Sequence, residues 1–259
     1  MSKGFVLGFA LGLALLGIVG AGASRQGRTV QERREAEKYK AEIADATPIQ
    51  VDVLVRKQRP HSRLFNGYGK HMPGESISEM IASYRGKRIV LERNVYGRMW
   101  FPSDQPEIPE DYFAGFAKQS DAIVRGRAIH KTSQITEDDS FLFTDYDVIV
   151  SEVFKNNATA PIDTGKIITV TYVGGKIVVD NVIIKAGGNG VALLPVDARD
   201  VLLFLKFVPL TEGYQLANNG AFELSGTSAR PLGGYFHFDS AFFEDERFFL
   251  KTIKEISKQ

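Results

Sequence analysis

His237 and Asp239 stand two positions apart in YFHFDS and would share one face of an extended strand. An imidazole oriented by a carboxylate suits a metal ligand or a general base, so this pair is the candidate acid and base of a hydrolase whose groups come from separate loops. A polar surface pair accounts for the same two residues. The remaining histidines, His61, His71 and His130, are scattered along the chain. Glu137, Asp138 and Asp139, followed by Asp145 and Asp147, gather oxygen donors of the kind calcium takes, but without EF-hand glycine spacing, and a solvated loop reads the same way. Gly187, Gly188, Asn189 and Gly190 would offer backbone amides to an anion; with no helix following to add its dipole, they read better as a turn. Asn157-Ala158-Thr159 is an N-glycosylation triplet, which matters only in a lumenal domain of a eukaryote.

The signatures of serine hydrolases, zincins and P-loop proteins (G-x-S-x-G, H-E-x-x-H, G-x-x-x-x-G-K-[ST]) are all missing. Cysteine is absent, which removes a disulfide framework, a thiolate zinc site and a cysteine nucleophile together. The sequence therefore assigns no catalytic, cofactor-binding or metal-ligating residue and leans away from an enzyme. Its 32 Lys and Arg against 31 Asp and Glu leave a net charge of +1, no field to draw in nucleic acid. At 259 residues, 44% apolar and 24% charged, the composition is that of a globular protein with room for one large domain or two small ones.

The elements that must position any site begin with an apolar run. Residues 4–23 hold six Gly, four Ala and ten of Phe, Val, Leu or Ile, which as a helix would span about 30 Å, one bilayer core. Two readings stay open for residues 1–23. Lys3, the apolar stretch and Ala21-Gly22-Ala23 are the parts of a cleaved signal peptide. Gly4, Gly8, Gly12 and Gly20 at i+4 spacing suit a retained membrane helix that packs closely on another. Arg25, Arg28, Arg33 and Arg34 follow the run, and the positive-inside bias would keep them in the cytoplasm, so a cytoplasm-facing anchor is the alternative topology. Residues 24–47 form a charged stalk: Thr29 and Glu32 stand in capping-box register, and the apolar stripe of Ala36, Tyr39, Ile43 and Ala46 is narrow.

Residues 48–118 read as an irregular extension with a short strand at Val51 to Val55, a short helix from Ser76 to Tyr84 opened by Ser76 and Glu79, and a strand from Lys87 to Asn94. Met99, Trp100 and Phe101 read as an anchor packing that loop down. Residues 119–226 carry strands. Asp121 to Lys131 and Phe141 to Lys155 come first, the latter with Tyr146, Val148 and Val150 opposite Asp145 and Asp147. Gly174-Gly175 and Asn218-Asn219-Gly220 read as two hairpin turns, and Val201 to Leu205 as a strand buried on both faces. Residues 227–259 end in a helix with Phe242, Phe249, Ile253 and Ile256 at helical spacing, expected to cover an open side of the β domain.

The order SDAIVRGRAI, FTDYDVIVSEVFKNN, IITVTYVGG, RDVLLFLKFV and GYQLANNGAFEL, Ser120 to Ser225, resembles uncharacterised exported bacterial proteins with an OB-type or netrin-like, metalloproteinase-inhibitor-like β-barrel. The resemblance implies a mainly β fold, a small antiparallel barrel or sandwich with helical additions. In the inhibitor family an N-terminal Cys-x-Cys chelates the target's zinc; this chain has no cysteine, so that mechanism does not carry over. The function expected is a non-catalytic, membrane-associated or exported envelope protein whose barrel binds a protein, peptide or glycan. A hydrolase using His237 and Asp239, and an oligonucleotide-binding barrel, are the alternatives.

Overall fold

A computed structural model of the chain describes residues 30–49, 60–69, 74–95, 109–188, 194–233 and 241–258. Residues 1–45 and 46–259 form two compact units. In the first, residues 30–44 are helical (α1), and most of the side chains stand in solvent, as a stripe so thin requires. Among the described residues no helix is long and apolar enough to cross a bilayer; the apolar run at 4–23 lies outside them.

The second unit is mainly β. In its larger sheet, alternating residues of β3 (Ala122–Ile135), β4 (Leu142–Lys155), β5 (Ile167–Val173), β8 (Asp200–Val208) and β9 (Gly213–Leu224) bury one face. The pairs β3–β4, β4–β5, β3–β8 and β8–β9 are antiparallel, and β5–β9 is parallel through Val170↔Tyr214 and Thr171↔Gln215. These five strands close on themselves as a hydrogen-bonded ring, with β10 (Ala229–Pro231) added outside β9. Tyr146, Val148, Val150, Val170, Val201, Leu203, Leu205 and Leu216 fill the interior. A smaller sheet in the order β1-β6-β7-β2, from Thr47–Pro48 (β1), Ile89–Val95 (β2), Gly175–Val179 (β6) and Val182–Gly188 (β7), adds Ile177 and Ile184 to the same core.

The strand expected to be buried on both faces is so: Val201 to Leu205 are each 0% exposed. Val201, Leu203 and Leu205 face the ring interior. Leu202 and Phe204 face outward into a second cluster with Phe113, Phe222, Phe242, Phe243 and Phe249. That cluster is closed by helices α3 (Pro109–Gln119), α4 (Ala241–Glu244) and α5 (Glu246–Ile256). The expected C-terminal helix is therefore broken at Asp245, whose side chain caps α5 by accepting from Arg247 N and Phe248 N. It packs on the outside of β8 and β9, over an apolar outer face that strand burial alone would not announce. Helix α3 was expected as irregular chain because of Pro109, but proline at the first helical position costs no hydrogen bond. The short helix α2 (Ile77–Ser83) has the expected capping box: Ser76 Oγ accepts from Glu79 N, and Glu79 Oε2 accepts from Ser76 N.

Both expected hairpin turns are something else. At Gly174-Gly175 the chain leaves the ring at the end of β5 and enters the smaller sheet as β6, and the two strands do not pair. Gly175 has φ 150°, and a Cβ there would lie 2.3 Å from Thr144 Oγ1 and 2.6 Å from Ser133 Oγ, so glycine is required to bend the chain tightly past β3 and β4. The true hairpin is β6–β7 on Asp180-Asn181, both at positive φ, 47° and 68°. Asn218 to Gly220 lie within β9, where the register against β8 jumps from Leu205↔Leu216 to Leu203↔Ala221. A Cβ on Gly220 would sit 2.7 Å from Phe204 Cβ, so this residue lets the bulged strand press onto β8.

Candidate functional site

Alternation places Asp145, Asp147 and Ile149 of β4 on the outer face of the ring, opposite the buried Tyr146, Val148 and Val150. Across the ladder to β5 they pair with Thr171, Thr169 and Ile167 in turn. Toward β3 they pair with Thr132, His130 and Arg127. This outer face has two halves of different character.

In the first half the carboxylates are consumed by the fold. Asp145 Oδ1 accepts from Thr171 Oγ1 and lies 2.8 Å from His61 Nδ1, and its Oδ2 accepts from Gln134 Nε2 at 3.1 Å. His61 arrives on a 3-10 turn, Pro60–Arg63, whose following residues pack Phe65 on Phe143 and Tyr68 on Phe141 with ring centroids 6.2 and 5.2 Å apart. Three side chains, His61, Thr171 and Gln134, thus meet on the two oxygens of one carboxylate. In a nucleophilic relay the hydroxyl would donate to the imidazole; here Thr171 and His61 both converge on one Asp145 oxygen, which is a clasp rather than a relay.

The loop carboxylates do the same. Asp138 accepts from Gly67 N, Thr136 Oγ1, Ser140 N and Ser140 Oγ. Burial pushes its carboxyl up, but these donors together outweigh that and hold it below the usual carboxylate range. Asp139, in the left-handed region at φ 60°, accepts from Ser78 N with both oxygens and so fastens α2 to the β3–β4 turn. Glu137 binds Arg63 Nε and Asn66 Nδ2, each at 3.2 Å. The expected choice between a calcium loop and a solvated one thus resolves into a third outcome: Glu137 and Asp138 bind residues 60–69, and Asp139 binds the start of α2, to the tip of the ring. Among the described residues no three His, Asp or Glu side chains are grouped to hold a metal ion.

The second half is open. Asp147 and His130 face each other at 3.5 Å with side chains 44% and 64% exposed. Beside them stand Ile167 and Ile129, 53% and 47% exposed, with Ile149 half-buried between. Ile129 is the extra residue of a bulge between Ala128↔Val148 and His130↔Asp147, which breaks the alternation and leaves it exposed next to the exposed His130. The exposed isoleucines form an apolar strip on a sheet face rimmed by Arg127, His130 and Asp147. The sequence signal for this patch was present in Ile149 and Ile167, apolar residues standing at solvent-side positions of otherwise alternating strands.

Other expected residues find a place. Asn157 is 5% exposed, and its Oδ1 accepts from Thr159 N and Oγ1 at 2.9 and 2.8 Å, so the amide that a glycan would need is turned inward while Ala158 and Thr159 stand exposed. Gly187 and Gly188 end β7, while Asn189 and Gly190 lie outside the described residues. His71, Met99, Trp100, Phe101, His237 and Asp239, with Val51 to Val55 and Thr29, also lie outside them. In comparison with known proteins, no family model matches the chain and no curated protein matches it in sequence.

Proposed function

We propose that this chain is a non-catalytic binding module of the cell envelope, an OB-type or netrin-like β-barrel, exported or held in the membrane by residues 4–23, that engages a protein, peptide or glycan partner. The observation that carries the reading is the strand ring, in which consecutive antiparallel strands β3, β4 and β5 are closed by a parallel β5–β9 pair and an antiparallel β8–β3 pair. That connectivity suits a five-stranded Greek-key barrel, a fold that takes ligands on the face of its second and third strands. Those strands are β4 and β5 here, and their outer face holds the open Ile149, Ile167 and Asp147 patch. Acidic Asp145 and Asp147 on that face, and a net charge of only +1, favour such a partner over an oligonucleotide, whose backbone needs a basic groove.

A photo-crosslinking side chain placed in living cells at Ile167, and as a control at Glu244 beyond the opposite side of the ring, tests the proposal. A discrete adduct from position 167 and none from 244 is expected. Equal labelling at both positions, or none at 167, overturns it.

A further inference from the structure

On the far side of the ring, a cavity of about 490 Å3 opens between α3, the end of β4 and the C-terminal end of α5. Ala114, Gly115, Ala117 and Ile256 make an apolar wall, and Lys118 and Lys155 bring two ammonium groups to it. Lys155 is held in place: its Nζ donates to Ala117 O, in the last turn of α3, and to Ser120 O just past its end, both at 2.7 Å. An ammonium has three donors, so one remains for a guest. Lys118, exposed in the last turn of α3, pairs with no carboxylate among the described residues. The acidic group that senses Lys155, Asp121, is itself engaged by Lys206 Nζ and Phe207 N, each at 2.8 Å.

We propose that this cavity binds a small apolar carboxylate, an acyl or aryl acid whose tail lies on the alanine and isoleucine wall and whose head meets Lys118 and Lys155. A mostly apolar pocket with a few convergent polar groups is the usual form of a small-molecule site. The wall selects against strongly hydrated anions, which would lose their water without apolar gain, and the lysines select against neutral tails.

Octanoate, titrated into the purified full chain and followed by backbone amide NMR, is expected to shift Gly115 and Lys155 saturably. Octanol, the tail without the charge, is expected to bind at least about tenfold more weakly, because its head loses the charge-assisted contact to both lysines, and inorganic phosphate is expected not to compete. Lys118→Gln, at an exposed position that leaves the fold intact, weakens octanoate several-fold. Gly115→Leu fills the cavity, and because a Cβ at Gly115 meets nothing within 4 Å, the helix accepts it; binding is then lost while the spectrum stays folded. Unsaturable shifts, octanol binding equal to octanoate, competition by phosphate at equal concentration, or octanoate binding unchanged in Gly115→Leu each overturn the proposal.

Discussion

Asp138 shows how a carboxylate that reads as a ligand becomes a fastener. Three of its four donors, Thr136 Oγ1, Ser140 N and Ser140 Oγ, come from its own turn, and the fourth, Gly67 N, is met only when residues 60–69 dock on that turn. Replacing it with alanine strands those donors, and Asp138→Ala is expected to lower stability by about 2 kcal/mol in urea unfolding. The pH dependence follows from the direction of its shift. Because the folded carboxyl is held below its ordinary value, its contribution is complete above about pH 3.9 and is lost as pH falls through the folded value. Glu223, held down by Arg230 and Arg199 against a smaller upward push from burial, adds a loss of the same sign. Acid unfolding below pH 4 is therefore expected to be shallower in Asp138→Ala than in the parent chain, measured as urea midpoint against pH. The distant partners of Asp145 and Asp138 were not legible beforehand: His61 meets Asp145 across 84 positions and Gly67 meets Asp138 across 71, and no periodicity reports contacts of that range.

At the scale of elements, local pattern placed the strands of the ring and helix α2, missed helix α3, and failed at the connections. The alternation in Phe141 to Lys155 and the Ser76–Glu79 box were enough to place β4 and α2, because period and capping are properties of neighbouring residues. Gly174-Gly175 looked like a hairpin turn for the same local reason, since glycine permits positive φ without stating which strand comes next. The structure puts Gly175 against the mutually bonded Ser133 and Thr144 hydroxyls, 2.9 Å apart and both buried. Gly175→Ala forces a side chain into that bond at an unfavourable φ and is expected to destabilise by about 3 kcal/mol in chemical denaturation. Had the glycines been a solvent-exposed hairpin turn, the same substitution would cost far less, so the experiment separates the two roles.

At the scale of the whole molecule, the proposed envelope role rests on residues 1–23, and under it Arg25, Arg28, Arg33 and Arg34 would bear on which side of a membrane the ring faces. Fusion of a C-terminal reporter active only outside the cytoplasm, with the intact mass of the mature chain, is expected to give an active reporter. Loss of residues 1–23 identifies a cleaved signal, and their retention identifies an anchor. A silent reporter places the module in the cytoplasm and overturns the envelope reading.

By itself, the sequence determined the β character of residues 119–226, the double burial of Val201 to Leu205 and the lack of standard catalytic motifs, since composition and period act within a few residues. Only the tertiary structure decided that five strands close in a ring, that aromatic helices cover β8 from outside, and that the acidic loop is tied to residues 60–69 and the start of α2. Closure and clasping depend on contacts between residues far apart in the chain, such as Thr171 beside Gln215 or Asp145 beside His61, whose energy exists only once the backbone has brought them together.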